Sequence, residues 1–201
     1  MNIQINKARS FNFNEYLTFL TKQVVNGINT TTLSEEQKKA IPLNLVRMKR
    51  ISDRVTIIPE LKNIVSSIKE HWQWIILTES WCGDGAQNIP IIAKIVQLSD
   101  KITLKIILRD ENLDLMDGHL TEATRSIPKL ICINTKTNEE TGSWGPRPRL
   151  IQEQIDEMKK KNLSITHDDL VYYIHLCYAK DRNNTLQSEF VDLISNWINK
   201  A

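Results

Sequence analysis

Cysteine is scarce in this chain. Cys82, Cys132 and Cys177 are the only three, and they lie far apart in sequence. An odd count at such spacing argues against a disulfide framework. The four histidines, His71, His119, His167 and His175, form no close pairs with the cysteines of the kind a zinc site uses. No metal and no cofactor are therefore expected. Long apolar runs are also missing. No window approaches the roughly 20 apolar residues of a membrane helix, and the opening stretch MNIQINKARSFNFNEYLTFL lacks the apolar segment of a signal peptide. A cytoplasmic protein with no membrane partner is the expectation. Charge of one sign is lacking too, since the formal net charge is +2. Nucleic-acid binders carry a more basic, clustered surface. The one short basic run, Lys159 to Lys161, reads as a solvated helix end where cations suit the dipole. No nucleic-acid partner is expected.

What is present is an ordered series of periodic segments without repeats or low-complexity linkers. Residues 12 to 28 read as a helix, with Phe13, Tyr16, Leu17, Leu20 and Val24 near helical spacing. After a Thr-rich turn, Ser34 with Gln37 fits a capping box for a helix over about 35 to 50. A further helix starts near Pro59. The pattern then changes. WQWIILTE is short, apolar and β-branched, as a buried strand is. GDGAQNIPIIAKIVQLSD is helical in pattern, with Pro90 inside it. ITLKIILRD reads as a strand, NLDLMDGHLTEA as a helix, PKLICIN as a third strand, and TNEETGSWG as a turn into a fourth, antiparallel one. RPRLIQEQIDEMKKK is a helix with its charges facing out. Thr166 or Asp168 caps a helix over DLVYYIHLCYAK, and TLQSEFVDLISNWINK reads as the last helix.

A strand leading into Trp81-Cys82-Gly83, a helix with a mid-length proline, a strand ending in RDEN, and then RSIPKL before a hairpin resemble the thioredoxin superfamily. Pro128, behind Ile127, falls 46 residues after Cys82. The flanking helices resemble extensions of the bacterial thioredoxin-like proteins with WCGD-type motifs. The resemblance implies an α/β thioredoxin-like fold, a central mixed sheet flanked by helices. Residues 72–161 would form the core of one domain spanning 1–201, with helical extensions over 1–70 and 166–201. It implies a cis Ile127–Pro128 bond beside Cys82, exposing the backbone of Ile127 to an extended segment. Trp81, Gly83, Asp84, Gly85, Ile127, Pro128, Gly145 and Arg147 would line the groove. Trp144 would either line it or pack inside.

The chemistry then turns on one sulfur. Cys82 opens a predicted helix, and helix N-termini favour anions and lower thiol pKa values. That argument needs the sulfur partly exposed. Asp84 opposes the thiolate, and Arg125 and Arg147 are the compensating charges. A dithiol cycle needs a second thiol, but the position three residues on is Gly85. The acid that thioredoxins carry six residues before the first cysteine is here Ile76. An ordinary protein-disulfide reductase is thus not expected. Cys132 and Cys177 read as core residues. Two functions remain. One is thiol-dependent redox chemistry through Cys82, with a protein or small-molecule thiol or disulfide as partner and an external thiol resolving the mixed disulfide. The other is a non-catalytic peptide- or protein-binding module. The flanking amphipathic helices dock on the sheet or mediate self-association, and the sequence leaves the oligomeric state open.

Overall fold

A computed structural model of the chain describes residues 9–27 and 32–200. The order of elements is β1 (Ser10–Phe11), α1 (Phe13–Val25), α2 (Glu35–Arg54), α3 (Pro59–Ser66), β2 (Trp72–Thr78), α4 (Gly83–Val96), β3 (Ile102–Leu108), α5 (Leu113–Asp117), β4 (Lys129–Asn134), β5 (Glu139–Trp144), α6 (Arg149–Lys161), α7 (His167–Asp181) and α8 (Asn184–Ile198). The strands form one sheet in the order β1-β3-β2-β4-β5. β2 and β3 run parallel, as the long crossover through α4 requires. The other pairs are antiparallel. This is the mixed sheet of a thioredoxin-like fold.

Local sequence explains most of the boundaries. Ser34 accepts from the Gln37 N–H and Gln37 reaches back to the Ser34 N–H, so the expected capping box opens α2. Asn12 and Glu15 form a second box at α1. Pro59 takes the first turn of α3, where its missing N–H costs nothing. Thr166 caps α7 by accepting from Asp169. Two elements differ from the sequence reading. β1 is a two-residue edge strand, too short to alternate visibly. α5 stops at Asp117, because Gly118 follows and Thr121 pairs with Thr124 in a tight turn. The end of the predicted first helix at residue 28, and part of the Thr-rich turn after it, lie outside the described residues.

β2 alternates between two cores, as the period of a strand dictates. Trp72, Trp74 and Ile76 face the larger one, shared with α1, α2, α4 and α8. Ile75 and Leu77 face the smaller one, with Ile107, Met116, Ile127 and Ile131. The last helix is stitched to the sheet by aromatic rings. Phe190 meets Trp74 at 5.6 Å and Trp144 at 5.4 Å between centroids, and Trp197 meets Trp72 at 6.2 Å. The amphipathic stripe of α8 is therefore buried within the chain. Gly142 makes this packing feasible, since a Cβ there would collide with Nε1 of Trp197.

Candidate functional site

The loop from Glu79 to Cys82 joins the carboxyl end of β2 to the start of α4. It is fixed from both sides. The Cys82 N–H donates to the Glu79 carbonyl at 3.0 Å, and Asn44 of α2 donates its Nδ2 to the Ser80 carbonyl at 3.1 Å. Glu79 is itself buried and accepts from the Asp110 N–H at 2.9 Å. Burial pushes its carboxyl up, and the nearby Asp110 carboxylate does the same, partly offset by that hydrogen bond.

Cys82 is the N-cap of α4. Its Sγ accepts from the Gly85 N–H at 3.2 Å and donates its proton to the Ile127 carbonyl at 3.3 Å. The Ile127–Pro128 peptide is cis, as is Gly145–Pro146. The sulfur therefore does lie against the Ile127–Pro128 turn. However, the residue is only 5% exposed. Burial pushes the thiol up to about 12, and the Asp84 charge adds to it; the Gly85 N–H and Arg147 pull weakly the other way. The expectation of a part-exposed, acidified sulfur is corrected here. The apolar wall of Ile75, Leu77 and Ile127 outweighs the helix end.

The charges also pair differently from the expectation. Arg147 forms a two-point ion pair with Asp84, Nε to Oδ1 and Nη2 to Oδ2, both at 2.9 Å. Burial disfavours the Arg147 cation, but Asp84 more than restores it and holds its pKa above the ordinary value. The Tyr178 hydroxyl donates to the same Asp84 oxygen at 2.8 Å, and Asn88 donates Nδ2 to both the Asp84 carbonyl and the Tyr178 hydroxyl, each at 2.9 Å. Arg147 also donates to Gln152 at 2.7 Å. So the WCGD aspartate ties α4 to α6 and α7. It is a structural node, and Arg147 compensates Asp84 before it compensates sulfur.

Of the residues singled out in the sequence, Cys82, Gly83, Asp84, Gly85, Ile127, Pro128, Gly145 and Arg147 come together. Gly145, at φ +123°, approaches so closely that a Cβ would collide with the Pro128 carbonyl oxygen. Trp81 is half-buried on the rim, with the Arg109 guanidinium over its ring at 5.2 Å. One open alternative is decided and one expectation fails. Trp144 points into the large core against Phe190 rather than into a groove. Arg125 is exposed and pairs with Asp117 through Nε at 2.6 Å, not with the thiol. At Gly85 a side chain has little room, since a Cβ there would lie 2.7 Å from Oγ1 of Thr78. Cys132 is wholly buried in β4, and Cys177 packs with Ile151, Ile155 and Tyr178.

Sequence reasoning missed Tyr178, Asn88, Asn44 and Arg109. Nothing in the local pattern marks them, because each reaches the loop from a distant element or a later turn. Among the described residues no group of three or more His, Cys, Asp or Glu could hold a metal, and no helix is long and apolar enough to cross a membrane.

A mixed sheet with β2 feeding a cysteine-capped helix, facing a cis-proline turn at the head of β4, is the arrangement of a thioredoxin-type protein. A family model described as Thioredoxin matches residues 30–159, well over half of the chain, and the chain belongs to that family. No curated protein matches it. Among solved structures it is similar to a protein of unknown function from Pseudomonas aeruginosa, at 18% identity and a TM-score of 0.53 over 92% of this chain and 98% of that one. It is similar also to an HIV epitope-scaffold, at 18% identity and a TM-score of 0.51, again over 92% and 98%. At this identity both bear on fold alone.

Proposed function

We propose that this chain is a redox-silent, peptide- or protein-binding member of the thioredoxin family, in which Cys82 is a structural cap. One observation carries the reading. Both hydrogen-bonding capacities of the sulfur are used inside the protein, on Gly85 and Ile127, while the residue is sealed from solvent. With its midpoint pushed up to about 12, the thiol is essentially all protonated at pH 7, whereas a free cysteine is roughly 3% ionised. The obstruction at Gly85 removes the resolving thiol. What faces outward is the rim: Trp81 carrying Arg109, and half-buried Gly83. The Ile127 side chain is buried beneath it, but its backbone N–H has no hydrogen bond among the described residues. A free N–H beside the start of β4 suits main-chain pairing with an extended segment.

A second reading keeps one observation of its own. Sγ sits at a helix N-terminus and already accepts one N–H, the geometry that stabilises a thiolate once the sulfur is exposed. In that reading the Cys82 thiolate attacks a disulfide sulfur, a mixed disulfide forms, and the partner's thiolate leaves. An external thiol then attacks the mixed disulfide, becomes joined to the partner sulfur, and releases Cys82. The cycle requires the bond to Ile127 to open first. Reduction of a glutathione mixed disulfide separates the two. The binding reading predicts no turnover above the uncatalysed rate for the wild type or for Cys82→Ser. Turnover by the wild type that disappears in Cys82→Ser would establish the thiol-transfer reading instead.

A further inference from the structure

α2 and α7, with Gln87 of α4, border an open cavity of about 660 Å³. Its wall carries Arg47, Arg50 and Arg54 from α2, and Arg182 from the end of α7, with His175, Gln87 and Tyr178 between them. The arginines of α2 recur at spacings of three and four, so they share one helix face. None of the four guanidiniums pairs with an acid within the described residues. Of the acids on the flanking helices, Asp84 is engaged by Arg147 and Asp181 by Thr185, while Asp53 of α2 is exposed and forms no ion pair among the described residues. Like charges gathered without counter-ions repel, and a fold keeps them so only at a cost.

One further observation points to a ligand. Gln87 lines the cavity and is 7% exposed, yet its carboxamide makes no hydrogen bond among the described residues. His175 stands beside it, with Nε2 accepting from Arg47 at 3.5 Å. Its Nδ1 is closed off from solvent and offers the cavity nothing. Left-handed backbone at Arg182 and Asn183, φ 52° and 67°, ends α7 and turns Arg182 to the wall.

We infer that this cavity binds a small molecule carrying two phosphate groups. Its volume suits a metabolite rather than a macromolecular surface. Planar guanidiniums bind phosphate oxygens two at a time. Two phosphate groups at about −1.5 to −2 each balance four guanidiniums, whereas a dicarboxylate supplies half that charge. The Gln87 carboxamide supplies a neutral donor. The site lies next to the WCGD loop. Arg47 donates to Asn44 at 2.8 Å, Asn44 holds the Ser80 carbonyl, and His175 Cε1 lies 3.5 Å from where a Gly83 Cβ would be. The inference does not depend on whether Cys82 reacts.

The test uses the whole chain and pyrophosphate, with orthophosphate and malonate as comparison anions at constant ionic strength, read by calorimetry and by the thermal midpoint. Pyrophosphate should bind saturably at one site, and about tenfold or more tighter than either comparison anion. Arg50→Ala/Arg54→Ala changes two exposed side chains with no bonds of their own among the described residues. It should keep or raise the midpoint of the ligand-free protein, since it relieves repulsion, and weaken pyrophosphate about tenfold or more. Arg182→Ala, tested separately, should do the same. Absence of saturable binding, equal binding of malonate, or unchanged affinity in both variants would each overturn the assignment.

Discussion

Placing a cysteine at position 85 tests how the site is built. Gly85→Cys puts a Cβ 2.7 Å from Thr78 Oγ1, 3.4 Å from Ile89 Cδ1 and 3.5 Å from Cys82 Cβ. The first contact is well inside van der Waals distance and both partners are buried. Overpacking of this kind costs about 1–3 kcal/mol, and losing a helical glycine returns a few tenths. The net loss should be about 1–2 kcal/mol, with roughly 2–4 °C of thermal midpoint for each kcal/mol in a chain of this size. The third contact is informative in the other direction, since a Cβ separation of 3.5 Å falls within the disulfide range. Removing the obstruction should therefore free the geometry. Gly85→Cys/Thr78→Ala should form a disulfide between Cys82 and the introduced thiol under mild oxidation, and Gly85→Cys alone should form it poorly. Melts under oxidising and reducing conditions, with thiol counts on unfolded protein, read both effects. A single Gly85→Cys variant as stable as the wild type and fully oxidised would refute the role given to Thr78.

Other perturbations follow from the same geometry. Gly142→Ala drives a Cβ into Trp197 Nε1 and should cost more than the about 1–3 kcal/mol of ordinary overpacking, seen as a lower urea midpoint. Tyr178→Phe removes the hydroxyl that serves both Asp84 and Asn88 and should cost about 1–3 kcal/mol, with no matching loss for the exposed Tyr172→Phe. His175 is held below its ordinary value, first by burial and then by Arg47. The unfolded chain therefore takes up its proton at higher pH than the fold does, and stability present above about pH 6.5 is lost as pH falls below it. His175→Gln should flatten the decline in urea midpoint between about pH 7 and pH 5 relative to the wild type.

The sheet was legible because β2, β3 and β4 are short, mainly apolar and β-branched runs and the helices carry their own caps at Ser34, Pro59 and Thr166. β1 was not, since two residues at an edge leave no periodic trace. The cluster of Cys82, Ile127, Pro128 and Gly145 followed from motif order. The state of Cys82 did not follow. A helix N-terminus argues for an anion, and only the packing of Ile75, Leu77 and Ile127 around the sulfur reverses that. Trp144 went either way because its partner, Phe190, is 46 residues distant. Arg147 was found, but its pairing with Asp84 in place of the thiol is a matter of side-chain reach. The arginine-lined cavity left no mark at all, because its walls come from α2 and α7, and the near-zero net charge hides a local excess.

The central claim is that Cys82 is a buried, protonated cap. Iodoacetamide labelling of the native protein, with peptide mass mapping to isolate Cys82, measures this directly. The account predicts slow labelling that climbs about tenfold per pH unit with no plateau up to about pH 10. A plateau with its midpoint at or below about 8.5 would contradict it.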